Sequence, residues 1–145
     1  MRTALLILAV ALAPSLSALA ADAEALIRQG ESELQAGRFD AATRTLRQAV
    51  AADPKSSLAY TRLGGAQLMS QDYSAALDSF KQAITQDGKN GAAFIGMAVA
   101  YLHQGNDALA RAALEEAKRV DPSKQEEVDK VISSIDQRAA SKPAD

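Results

Sequence analysis

Apolar residues recur at helical spacing along most of the chain. Two stripes of apolar residues at i, i+4, i+7 and i+8 lie 34 residues apart. They consist of Ala42, Leu46, Ala49 and Val50, and of Ala76, Phe80, Ala83 and Ile84. Within each stripe, polar and charged residues occupy most of the positions between the apolar ones. This pattern is typical of amphipathic α-helices and not of alternating strands. The sequence therefore predicts an all-α chain.

The 34-residue period extends through three consecutive segments without an insertion. Each segment closes with an Asp-Pro or Asp-Gly pair, and small residues recur at three fixed positions in every segment. The small residues are Gly30, Ala42 and Ala49, then Gly64, Ala76 and Ala83, then Ala98, Ala110 and Ala117. Proline cannot continue a helix, so these pairs indicate segment ends. Gly37 and Gly105 indicate a second turn within a segment, since a helix often ends in a left-handed residue.

This period and these residue types resemble the tetratricopeptide repeat, in which each unit is a pair of antiparallel helices. The resemblance implies an all-α, right-handed α-solenoid of three helix-turn-helix units plus a C-terminal capping helix. The predicted parts are units at 23–56, 57–90 and 91–124, a capping helix at about 124–138, and a frayed tail at 140–145. Ser123 and Glu126 form an S-x-x-E capping box that is predicted to open the last helix.

The first twenty residues are predicted to be a signal peptide. Arg2 precedes an uncharged apolar run, Pro14 interrupts that run, and Ala18 and Ala20 provide the small-x-small pattern that signal peptidase accepts. We therefore predict cleavage after Ala20 and a mature repeat domain at 21–139. An uncleaved membrane anchor is the alternative. The periplasm is the predicted compartment, by analogy with exported members of the family.

Composition excludes several functions. Sixteen basic and 18 acidic residues give a formal charge of −2, so no basic excess is available to bind nucleic acid. With no cysteine and a single histidine, His103, the chain is predicted to hold neither a metal nor a cofactor. No nucleophile and base are grouped in the sequence, so we predict that the protein is not an enzyme.

The six aromatic residues all fall at framework positions of the repeat, where large side chains usually form the core. They are Phe39, Tyr60, Tyr73, Phe80, Phe94 and Tyr101. No aromatic residue is therefore left over to form a stacking platform for nucleic-acid bases.

The resemblance also implies a concave groove lined by the first helix of each unit. The groove residues assigned by position are Ile27, Glu31, Leu58, Thr61, Arg62, Gly65, Met69, Ala92, Ile95, Val99 and His103. The lining becomes more apolar towards the carboxyl end, which predicts a protein or peptide ligand with an apolar anchor. Alternatively, neighbouring helices bury part of this apolar surface.

Some grooves of this family grip an acidic chaperone tail through a two-carboxylate clamp. The matching positions here are Ile27, Glu31, Arg62, Ala92 and Gly96. Only Arg62 could serve, so the sequence argues against that ligand.

The sequence thus predicts a non-enzymatic protein-protein interaction module, a scaffold or adaptor of the bacterial cell envelope. The alternative is a structural protein that self-associates, with its apolar face as an oligomer seam. No stable membrane insertion is expected after signal cleavage. The repeat register predicts that Ala76→Leu is costly, and that Ser79→Ala on the presumed outer face is nearly neutral.

Overall fold

The chain forms seven α-helices in a computed structural model that describes the backbone of residues 16–141 and the side chains of residues 21–141. The helices are α1 (Leu16–Gln35), α2 (Phe39–Ala52), α3 (Ser57–Met69), α4 (Tyr73–Gln86), α5 (Gly91–His103), α6 (Asp107–Val120) and α7 (Gln125–Ser141). Most of the predicted signal peptide and most of the predicted tail lie outside the described residues. Between residues 16 and 141 there is no strand, and none of the helices there contains an apolar stretch that could span a bilayer.

The helices form three antiparallel pairs that stack in chain order. α1 packs on α2, α3 on α4 and α5 on α6, and the pairs contact one another through α2 and α3 and through α4 and α5. α7 packs against α6 at the end of the stack. The predicted solenoid of three units with a capping helix is confirmed.

The nine small repeat residues are all buried, because the paired helices approach one another closely at these positions. A Cβ atom on Gly30 would lie 2.5 Å from Leu46 Cγ, and a Cβ atom on Gly64 would lie 2.7 Å from Phe80 Cε1. Real Cβ atoms do not approach other atoms so closely, so each glycine makes room for one large side chain of its partner helix.

The turns within the units share one backbone conformation. Gly37 and Gly105 have φ angles of 71° and 74°, as expected for residues that follow a helix end. Gln71, at the same position in the second unit, adopts the same left-handed conformation with a φ of 63°. The backbone of the unit dictates this geometry even where the residue is not glycine.

Four helices begin with a side chain that accepts a hydrogen bond from the backbone N–H of the first turn. These N-cap residues are Ser56, Asp72, Asn90 and Asn106, which accept from Ala59, Ala75, Ala93 and Leu109. The caps fix where these four helices start.

The last helix is docked by its apolar side. Val128 is fully buried and Ile135 is 3% exposed, and both belong to a cluster with Leu114 and Ala117 of α6. The predicted capping box is wrong: residues Pro122–Lys124 form a 3₁₀ turn, so Ser123 does not begin α7. The helix begins at Gln125 instead.

Ala76→Leu is expected to lower the free energy of unfolding by about 1–3 kcal/mol, because Ala76 has no exposed surface and leucine would overpack the contact. Chemical denaturation followed by circular dichroism measures the change. The predicted outer-face control Ser79 is wrong, since Ser79 is 7% exposed and its hydroxyl donates to Gln67 Oε1 at 2.6 Å. Gln82→Ala on exposed α4 surface is the appropriate control, and an equal effect there would contradict the repeat register.

Candidate functional site

An apolar cavity of about 450 Å³ opens between the first helices of the second and third units. We call it the α3–α5 cavity. Its lining residues are Leu34 and Phe39 near the first turn, Thr61, Arg62, Gly65, Leu68 and Met69 of α3, Phe80 of α4, and Ala92, Ile95 and Gly96 of α5. The volume falls within the range of natural ligand sites.

Six of the eleven predicted groove residues meet in this cavity. They are Thr61, Arg62, Gly65, Met69, Ala92 and Ile95. Met69 is 56% exposed at its edge, so the cavity has an open apolar border. Ile95 is only 8% exposed and belongs to the core of the third unit. It therefore forms the buried bottom of the cavity and offers little free surface to a ligand.

The other predicted groove residues lie elsewhere. The prediction that Ile27 lines the groove is wrong. Ile27 is 5% exposed and packs with Ala42, Leu46 and Leu63 between the first two units, so it is a core residue. Leu58 is 48% exposed but does not line the cavity, and Val99 is partly buried outside it.

Glu31 does not line the cavity itself, but it forms an ion pair with Arg62, which does. The Arg62 Nε–H donates to Glu31 Oε1, joining α1 to α3 across the repeat boundary. The two side chains are 40% and 36% exposed, so the ion pair lies in a partly solvated position at the rim. Arg62 is the one charged residue among the described lining residues, and its charge is already balanced.

The hydroxyl of Thr61 has a structural role. Asn90 Nδ2 donates to Ser57 Oγ at 2.7 Å and to Thr61 Oγ1 at 2.8 Å, while Asn90 Oδ1 accepts from the Ala93 N–H at 2.9 Å. Asn90 therefore caps α5 and ties it to α3. This network sets the distance between the two helices that form the cavity.

His103 is exposed at the end of α5, and its ring stacks on Tyr73 with ring centroids 4.7 Å apart. Its stacking partner is thus a framework residue of α4. Within residues 21–141, no group of three or more histidine and carboxylate side chains comes together to hold a metal ion. Neither observation assigns a catalytic role to this histidine.

Sequence reasoning missed four lining residues: Leu34, Phe39, Leu68 and Phe80. Phe39 and Phe80 occupy repeat positions that were predicted to be core, and no role was predicted for Leu34 and Leu68. Phe80 is indeed 2% exposed, but Phe39 is only partly buried. The small residues above Phe80 could have signalled its position, since Gly64 and Gly96 both lie against its ring.

The chain belongs to the tetratricopeptide repeat family. Two models of this family match, one over residues 27–91 and the other over residues 67–135. Together they cover the three helix pairs from within α1 into α7. No curated protein sequence matches significantly.

Solved structures share the fold at low sequence identity. The Yersinia enterocolitica type III secretion translocator chaperone SycD is 20% identical, with a TM-score of 0.76 over 82% of this chain and 95% of that chain. The first repeat domain of Spaghetti (RPAP3), bound to the HSP90 peptide SRMEEVD, is 19% identical, with a TM-score of 0.76 over 84% and 96%. SycD with a peptide of the translocator YopD is 20% identical, with a TM-score of 0.72 over 80% and 93%.

Proposed function

We propose that this protein is a non-enzymatic scaffold or adaptor that binds a peptide or helix of a partner protein in the α3–α5 cavity. The observation that carries the proposal is an open apolar cavity of about 450 Å³, formed by the helices that line the binding groove in this family. An apolar concavity left open to water is unfavourable unless a ligand covers it.

The similar structures support a peptide ligand. Spaghetti was solved with an HSP90 peptide and SycD with a YopD peptide, so this fold accommodates bound segments of other proteins. The lining of the cavity here differs from a site for acidic tails, because Ile27 is buried and Arg62 is paired with Glu31. An apolar anchor suits the remaining lining better.

Met69→Glu is expected to abolish capture of the partner while leaving the helices intact. Met69 is 56% exposed, so a carboxylate is tolerated in the free protein but would be desolvated against an apolar ligand. The measurement is quantitative capture from envelope extract, after circular dichroism has established the fold. Leu58→Glu tests whether the contact extends along α3.

Leu109→Glu is the matched control, because Leu109 is 45% exposed on α6 and does not line the cavity. Equal capture by wild type and Met69→Glu would place the binding surface elsewhere. Ile95→Glu is unsuitable for this purpose, since a charge on that buried residue would test folding and not binding.

We also propose that the protein is exported to the cell envelope and that the signal peptide is cleaved after Ala20. The cleavage point lies within helix α1. Cleavage there would leave residues 21–35 of α1, close in length to the 13 or 14 residues of the other repeat helices, and would retain Ala23, which is the first buried residue among the described side chains.

The intact mass of protein from the native host tests this proposal. We expect a chain that starts at Ala21. A mass that includes Met1 to Ala20 would support the anchored alternative, in which the repeat domain is held at a membrane surface.

Self-association is a second candidate function. The exposed apolar side chains Leu58 and Met69 form part of one helix, α3, and could serve as a seam between copies. One structure of SycD is described as an alternative dimer, which shows that a similar fold can pair with itself. Light scattering over a concentration series distinguishes a monomer that binds partners from a self-assembling protein.

A further inference from the structure

We infer that the α3–α5 cavity is a subsite for one large uncharged side chain of the bound segment. We also infer that Glu31 determines specificity, because its carboxylate repels acidic segments. The inference rests on the proposed function, because it names the chemistry of the ligand that the groove takes. Two independent observations carry it: a gap in the wall at Gly65, and the ion pair at the rim.

The gap arises from a missing side chain. Apart from its chain neighbours and the adjacent backbone of its own helix, a Cβ atom placed on Gly65 would meet no atom within 4 Å in the described part of the chain, although the residue lies within α3. By contrast, a Cβ atom on the neighbouring Gly64 would overlap Phe80. Gly64 is therefore required for packing, whereas Gly65 leaves space that the fold itself does not use.

The residues around that space are apolar, and the residues on its α5 side have small side chains or none. Ala92 and Gly96 form the facing side on α5, and Phe80, Ile95 and Leu68 lie beneath. Phe80 and Ile95 are buried, so the floor is rigid. Such a shape accommodates one bulky apolar side chain between two helices, as in helix-in-groove recognition.

The electrostatics of the rim oppose an acidic ligand. Arg62 is the one lining residue with a charge among those described, and Glu31 already occupies it. A ligand carboxylate would have to displace Glu31 and would be repelled by it at short range. The cavity therefore presents no net charge, which matches an uncharged side chain and not an acidic one.

Glu31 can be changed without loss of the fold. The pair joins two partly exposed side chains, 40% and 36% exposed, and ion pairs of this kind contribute little to stability. Glu31→Gln removes the repulsion and leaves the Arg62 charge available. The prediction for this variant is thus a change in ligand preference and not in stability.

Two labelled peptides test the inference on the full chain by fluorescence anisotropy. One is SRMEEVD, the acidic peptide that the similar structure binds. The other replaces both of its glutamates with leucine. We expect wild type to bind the leucine peptide at least about tenfold more tightly, and Glu31→Gln to reduce that preference about fivefold or more by tightening the binding of SRMEEVD.

Gly65→Leu is the second arm, because its side chain would fill the gap. It is expected to weaken the leucine peptide about tenfold or more, whereas Gln82→Leu, which adds the same side chain to exposed surface of α4, should have no effect. Circular dichroism confirms that both variants remain folded.

Equal affinity of wild type for the two peptides, or a preference that Glu31→Gln leaves unchanged, would overturn the role of Glu31. Unchanged binding by Gly65→Leu, or no binding of either peptide below about 1 mM, would overturn the subsite. These failures are distinguishable from failure of the proposed function, because loss of partner capture in Met69→Glu would still establish the cavity as a groove for a different ligand.

Discussion

Phe80→Ala is expected to lower the free energy of unfolding by about 3–5 kcal/mol. Phe80 is 2% exposed and lies at the junction of the second and third units, where it packs with Ala76, Ala83 and Ala93. Its removal leaves a void beneath the α3–α5 cavity that rigid neighbours cannot fill. Chemical denaturation gives the midpoint and the slope from which the change is calculated.

Leu109→Ala provides the comparison, because Leu109 is 45% exposed and should change stability by no more than about 0.5 kcal/mol. A second comparison uses Gly96, where an added Cβ would overlap the Phe80 ring. Gly96→Ala should therefore destabilise the wild type but cost much less in the Phe80→Ala background. Strictly additive effects would contradict the contact between these two residues.

Truncation after Ser123 is expected to destabilise the third unit by about 3 kcal/mol or more and to promote association. The deletion removes Val128 and Ile135, and full burial of each such side chain contributes about 1.5–3 kcal/mol. It also uncovers Leu114, which has no exposed surface in the intact chain. Light scattering detects the association, and circular dichroism the loss of helix in the last unit.

Charged pairs reinforce the docking of α7. Lys118 Nζ donates to Asp129 Oδ1 at 3.0 Å, and this hydrogen bond raises the pKa of Lys118. Arg111 pairs with Asp136 further along the helix. These partly exposed pairs add little stability, so the apolar contact should dominate the effect of truncation.

Val128→Asp in the full chain distinguishes the effect of losing the docking of α7 from the effect of shortening the chain. It places a charge where there is no exposed surface, so it should reproduce the effect of truncation, whereas Glu127→Ala on the exposed side of α7 should not. A truncated protein that stays monomeric with unchanged stability would show that α7 does not cap the solenoid in solution.

The candidate site was only partly predictable from the sequence. Counting repeat positions placed Gly65 and Met69 on the concave face, and both line the cavity, because a helix face is determined by spacing. The same counting placed Ile27 on the groove surface, where the structure buries it. Position along one helix does not reveal how close the next helix approaches, and that distance decides whether a side chain is exposed.

The pairing of polar groups across units was also invisible in the sequence. Glu31 and Arg62 are 31 residues apart, and Asn90, which caps α5 at the boundary with the third unit, bonds to Ser57 and Thr61 of α3. Ser79 shows the same limitation, because its partner Gln67 lies on the other helix of its unit. Such bonds depend on the rotation and separation of helices, which periodicity alone leaves open.

By itself the sequence determined the all-α class, the three helix pairs and the positions where helices must approach closely. Its 34-residue period and small residues such as Ala42 and Ala76 are local constraints, since a large side chain there has no space in any version of the fold. Only the tertiary structure decided that Phe80 fills the space beside Gly64 while the space beside Gly65 remains open, and that Glu31 neutralises the charge of Arg62. The physical reason is that cavities and ion pairs arise between helices, where differences of one or two ångströms decide contact.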